Sequence, residues 1–129
     1  MAMQIDEATR SYEQWLATHM PLIQADLALK HAAMRHDAFS FLRATFYRWM
    51  QLWPAICADV ATAPVLLAVG DLHLDNFGTW RDKEGRLVWG INDFDEACHL
   101  PYTNDLLRLT VSARLAIIDP QRKYWTHAA

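Results

Sequence analysis

Four side chains able to hold a hard cation or accept a proton, Asp71, Asn76, Asp93 and Asp95, sit in two short loops that each follow an apolar run. The first loop continues Val65-Leu-Leu-Ala-Val69 and the second continues Leu87-Val-Trp-Gly-Ile91. Both runs read as short buried strands, which places the four groups just past strand ends, on loops held by a rigid scaffold. Carboxylate and amide oxygens are magnesium ligands, and a carboxylate beside a hydroxyl can take its proton. Phosphoryl transfer needs little more from a protein than those parts, set against nucleotide phosphates.

The elements around the loops must bring them together. Phe77-Gly-Thr-Trp-Arg81 and Arg86-Leu-Val-Trp-Gly-Ile91 flank Asp82-Lys-Glu-Gly85, a polar turn of the kind that closes a hairpin. A hairpin returns its ends to neighbouring positions, so Asn76 and Asn92-Asp93 become neighbours. Upstream, Tyr12, Trp15, Leu16, Met20 and Ile23 step at helical spacing, with a break expected near His19 and Pro21 opening a second helix that runs to about Arg35. Asp37 or Ser40 can cap a third helix carrying Leu42, Phe46, Trp49, Met50 and Trp53 on one face, stopped by Pro54. Its aromatic stripe reads as core. Arg43, on an otherwise apolar turn, either reaches solvent or pairs with an acid of the loops. Beyond Pro101, Thr103 can cap a last helix with Leu106, Leu109, Ala113 and Ile117 on its inner face, ended by Asp119-Pro120.

Composition narrows the function classes. The 129 residues make one domain's worth of chain, and a hydrophobic fraction of 53% supplies a core. A formal net charge of −3, with scattered basic residues, gives no electrostatic footprint for a nucleic acid or a membrane surface. The two cysteines, Cys57 and Cys98, have neither zinc nor redox spacing and read as free thiols. No signal peptide or membrane-length apolar run is present, so a soluble cytoplasmic protein is expected.

The loops also carry a resemblance. Asp71-Leu-His-Leu-Asp-Asn76 is similar to the kinase catalytic loop, Asp-Leu-x-x-x-Asn, and Asp93-Phe94 stands where the metal-binding Asp-Phe-Gly would, with Asp95 replacing the glycine. With His73 in place of the catalytic-loop lysine, the pattern resembles the aminoglycoside phosphotransferase and choline kinase branch of the protein-kinase-like fold. A closer resemblance joins Phe39-Ser-Phe-Leu-Arg43, the stretch Gly70 to Gly78, Asn92-Asp-Phe-Asp-Glu-Ala97, Pro101 and Asp105-Leu-Leu-Arg-Leu-Thr-Val-Ser112. That set resembles an uncharacterised bacterial family, domain of unknown function 2252, over roughly Lys30 to Ala113. The kinase-like resemblance implies Asp71 as catalytic base, His73 as a hydrogen-bonding or phosphate-facing group, and Asn76 and Asp93 as magnesium ligands. It leaves Asp95 as a possible supporting acid, and it has Asp105 brace the loop from the last helix. ATP and magnesium are the implied cofactors, and a small-molecule or protein hydroxyl is the acceptor. The nucleotide-covering glycine loop and its lysine are not recognisable, so the chain resembles a truncated member, and Arg43 is the candidate substitute for the missing phosphate-binding cation.

Two other readings use the same residues. Gly70-Asp-Leu-His73 also resembles the opening Asp-x-His of calcineurin-like metallophosphoesterases, in which Asp71 and His73 would ligate a metal, although the later motifs of that family are missing. The third reading is a non-catalytic kinase-like binding module. The expected architecture is a single α+β domain over residues 1–129, with helices over about 6–60, the loop and hairpin over 65–97 and a C-terminal helix over 103–118. In it, a helical N-terminal half packs on a small sheet with a β-hairpin, resembling part of a kinase-like C-lobe.

Overall fold

The computed structural model describes residues 3–119. It is α+β, and it divides into two compact units, one ending at Ala58 and one starting at Asp59.

The first unit is helical: α1 (Ile5–Ala17), α2 (Gln24–His36), α3 (Ala38–Ala44) and α4 (Phe46–Ile56). The break near His19 forms as expected, but Pro21 lies ahead of α2 rather than in its first turn, and Ile23 is the cap residue. Asp37 caps α3, accepting from the Ser40 N–H at 2.7 Å and the Ser40 hydroxyl at 2.6 Å. The expected third helix is two helices. The Thr45 hydroxyl donates to the Phe41 carbonyl at 2.7 Å, and its backbone leaves the helical region at φ −128°, ψ 39°. Pro54 lies inside α4 instead of ending it. The chain runs on to Ile56, and the Cys57 N–H closes the end on Trp53 at 2.9 Å. Leu42, Phe46 and Trp53 are buried, as the core reading of the stripe requires. Polar and aromatic contacts tie α1, α2 and α4 together. Thr9 and Tyr47 share a 2.8 Å hydroxyl contact, Tyr12 stacks on Tyr47 at 4.3 Å, and Lys30 lies over both rings. His31 meets Glu13 at 2.6 Å.

Among the described residues the second unit holds four short strands and one long helix: β1 (Val65–Ala68), β2 (Phe77–Arg81), β3 (Leu87–Ile91), β4 (Cys98–Pro101) and α5 (Tyr102–Ile118). The single small sheet expected is two separate antiparallel pairs, β1 with β4 and β2 with β3. The strand β4 was not foreseen; it pairs Ala68 with Cys98 and Val65 with Pro101, and so ties the first loop to the stretch after the second. The hairpin closes as expected, with Asp82 N–H on the Arg86 carbonyl and Gly85 N–H on the Asp82 carbonyl.

Two expectations about burial are corrected. Val65, Leu66 and Leu67 are exposed, as are Leu87 and Trp89, because a two-stranded ladder has no second layer to cover both of its faces. On α5 the buried residues are Asn104, Arg108, Ser112 and Ala116, while Leu106 and Ile117 are exposed. The helix packs on β1, β4 and the stretch Leu74–Asn76, and the polar residues of this inner face include Arg108, which meets Asp71. Thr103 does not cap α5 either; its hydroxyl donates to the Val60 carbonyl at 2.7 Å. Asp119 follows the helix end, and Pro120 lies outside the described residues. Among the described residues no helix is long and apolar enough to cross a membrane.

Candidate functional site

The site begins where β1 ends. Gly70 has φ +88°, a backbone conformation that L side chains rarely adopt, and a Cβ there would stand 2.3 Å from the Glu96 carbonyl oxygen. Glycine at this position therefore turns the chain out of β1 and lets the end of the second loop lie directly on the first. From the first turn of α5, Asp105 accepts the Val69 N–H at 2.7 Å and the Gly70 N–H at 3.0 Å. Two consecutive backbone donors past the end of β1 are satisfied by one carboxylate, which braces the loop.

Asp71 comes next, and α5 holds it as well. Arg108, fully buried, donates from Nε at 2.6 Å and from Nη2 at 2.5 Å to the same oxygen, Oδ1. Burial pushes the guanidinium pKa down, and the charge and hydrogen bond of Asp71 oppose that shift, aided by Glu96 and Asp105. The other carboxylate oxygen, Oδ2, lies 3.7 Å from Nε2 of His73, which is itself buried. Leu74–Asn76 then makes one 3₁₀ turn. In it the buried Asn76 side chain donates from Nδ2 to the Asp71 carbonyl at 2.7 Å, which leaves its amide oxygen as the acceptor end.

The hairpin carries the chain out and back. On its return the Asn92 N–H donates to the Asn76 carbonyl at 3.0 Å, so the two loops meet at their Asn76 and Asn92 ends. Gly78 lies beside this junction, and a Cβ there would fall 2.6 Å from the Asn92 side-chain nitrogen, so a larger residue would displace that amide. Asp93 and Asp95 are both exposed, and Oδ1 of Asp93 accepts the Asp95 N–H at 3.1 Å. Glu96 is exposed as a residue, but burial of its carboxyl end, reinforced by the charges of Asp71, Asp95 and Asp93, pushes its pKa up. The second loop thus lies within electrostatic reach of Asp71. Burial, and after it the charges of Glu96 and Asp105, push the nearby Cys98 thiol up, which keeps it protonated and a poor nucleophile. Cys98 and Cys57 are unbridged.

Asp71, His73, Asn76, Asp93 and Asp95 all belong to the second unit, whereas Arg43 is an exposed residue of α3 in the first. Among the described residues no three His, Cys, Asp or Glu side chains gather into a cage for a metal ion. Magnesium does not require one, because it keeps several waters and takes one or two carboxylates together with substrate phosphates. The Asn76 amide oxygen and the Asp93 and Asp95 carboxylates are of that donor class. The cation beside Asp71 is Arg108, a residue to which the motif pattern gave no role. Its signal was the four-residue step Asn104, Arg108, Ser112, Ala116, a polar stripe that the leucines at intervening positions outweighed.

A family model described as an uncharacterised protein conserved in bacteria, DUF2252, matches residues 22–121. The chain belongs to that family. The DUF2252 match begins after α1 and takes in Arg43, both acidic loops, Asp105 and Arg108. No curated protein and no solved structure matches the chain.

Proposed function

We propose that the second unit is the catalytic-loop and metal-loop portion of an ATP-dependent phosphotransferase. One observation carries this reading above the others. The loop bearing Asp71 is braced from α5, and the hairpin returns Asn92-Asp93 to the backbone of Asn76, through the 3.0 Å bond between the Asn92 N–H and the Asn76 carbonyl. A carboxylate and a set of hard oxygen donors then flank one short stretch of chain, which is the minimum a phosphoryl-transfer site requires.

In this reading the acceptor is a hydroxyl on a small molecule or a protein. Its oxygen attacks the terminal phosphorus of ATP, the bond from that phosphorus to the bridging oxygen breaks, ADP leaves, and the hydroxyl proton passes to Oδ2 of Asp71. Oδ2 is the oxygen that Arg108 does not occupy. Asn76 and Asp93, supported by Asp95, would hold magnesium, which when bound neutralises the phosphate oxygens. His73, close to Asp71, would donate to the acceptor or to a phosphate oxygen. Arg43 is proposed as a phosphate-binding cation, and the setting as the cytoplasm, where nucleotide and free thiols coexist.

A metallophosphoesterase would use Asp71 and His73 as ligands of one transition metal. Their 3.7 Å approach favours it, but a buried guanidinium already on Asp71 works against a second cation there. Turnover assays separate the readings. Magnesium-dependent conversion of ATP to ADP is expected, falling at least a hundredfold in both Asp71→Asn and Asp93→Ala. Phosphoester hydrolysis that needs manganese or zinc, proceeds without nucleotide and is lost in His73→Ala would establish the phosphoesterase instead. Neither activity, with nucleotide binding retained, would leave a binding module.

A further inference from the structure

Arg108 directs Nε and Nη2 at the same oxygen of Asp71, where an arginine facing a carboxylate commonly takes one oxygen with each. The other oxygen, Oδ2, has His73 Nε2 at 3.7 Å, beyond hydrogen-bond distance. We infer that Arg108 is a positioning residue, which fixes the side-chain rotamer of Asp71 and reserves Oδ2 for the hydroxyl of the acceptor. The inference rests on the phosphotransferase reading of Asp71.

Three further observations support it. Arg108 is 0% exposed on the inner face of a 17-residue helix, a rigid platform, and Asp105 ties that helix to the loop through the amides of Val69 and Gly70. The backbone of Asp71 is held from the other side by the Asn76 side chain, which leaves the Cα–Cβ and Cβ–Cγ torsions for Arg108 to set. A buried ion pair is also a poor stabiliser, because desolvating two charges offsets most of their attraction, whereas it specifies geometry well. Arginine suits the task because its planar fork is oriented by two donors, where a lysine would supply a single rotating ammonium.

Two measurements on the full chain test this. Three-bond couplings across Cα–Cβ of Asp71, read by NMR, report its rotamer without any nucleotide. Steady-state turnover of magnesium-ATP gives kcat and KM for the same proteins. The parent is expected to show one rotamer. Arg108→Met should show averaged couplings and a kcat lower by roughly ten- to a hundredfold, with nucleotide KM within about twofold. Arg108→Lys, which keeps the charge but not the fork, should fall between. If circular dichroism shows that Arg108→Met does not fold, Arg108→Lys carries both readouts. Unchanged couplings in the variant overturn the inference, and so do averaged couplings with an unchanged kcat. A parent chain without turnover would end the phosphotransferase reading, and the couplings would still decide whether Arg108 sets the rotamer of Asp71.

Discussion

Gly70 is where two independent constraints fall on one residue. Its φ of +88° disfavours any side chain, and the Glu96 carbonyl occupies the space a Cβ would need. Relaxing one constraint leaves the other, so Gly70→Ala should cost about 2–4 kcal/mol, a left-handed backbone penalty added to overpacking against backbone. Chemical denaturation of the variant measures this directly, and a loss below about 1 kcal/mol would show that the turn and the Glu96 contact are not both present. The residues at this scale differ in how well the sequence displayed them. Asp71, Asn76 and Asp93 were legible as site candidates because hard oxygen donors at strand ends are conspicuous. Arg108 was not, because an arginine within a leucine-rich helix reads as a solvent-facing charge until the loop that it covers is known. Glu96 carries no such signal in the sequence, and its closeness to the first loop follows from the approach of its carbonyl to Gly70.

The hairpin is the element that joins the two loops, and its turn rests on Asp82. That carboxylate accepts the N–H of Glu84 at 3.0 Å, the N–H of Arg86 at 2.9 Å and Nε of Arg86 at 2.7 Å. The Arg86 side chain, foremost among these partners, holds Asp82 below its ordinary 3.8. A carboxyl with a depressed folded value contributes stability above its unfolded value and loses it as pH falls through the folded one. The thermal midpoint of the parent should therefore exceed that of Asp82→Asn above about pH 4–5, and the difference should vanish as pH falls below the ordinary carboxylate range. A difference that persisted at pH 2 would remove the ion pair from the account.

The strand β1 illustrates what apolarity alone does not disclose. Val65-Leu-Leu reads as a buried strand, but burial needs a covering layer, and the β1–β4 pair leaves Leu67 71% exposed. Leu67→Asn should consequently change stability by no more than about 1 kcal/mol, where a buried leucine would lose about 2–5. A loss in the larger range, read from urea unfolding, would return β1 to the core. Turn chemistry at Asp82 and the cap at Asp37 were legible because they are local. The second sheet and the inward polar face of α5 were not, since they depend on which elements meet.

As a whole, the molecule is two compact units. The acidic site lies within the second, and the DUF2252 match spans α2 of the first through α5 of the second. Arg43 belongs to the first unit, and Asn76, Asp93 and Asp95 belong to the second. On the phosphotransferase reading proposed above, the second unit carries the metal-dependent part of nucleotide affinity, and a cationic Arg43 contribution would screen with salt. Arg43→Ala should weaken nucleotide binding without removing its dependence on magnesium, while Asp93→Ala should remove that dependence. The most direct measurement is a calorimetric titration of the chain with a non-hydrolysable ATP analogue, with and without magnesium, repeated on Asp93→Ala. Heat that requires magnesium and is lost in Asp93→Ala is the expected result; no heat in the parent, or equal heat in the variant, would contradict the assignment of the second unit as a magnesium-nucleotide site.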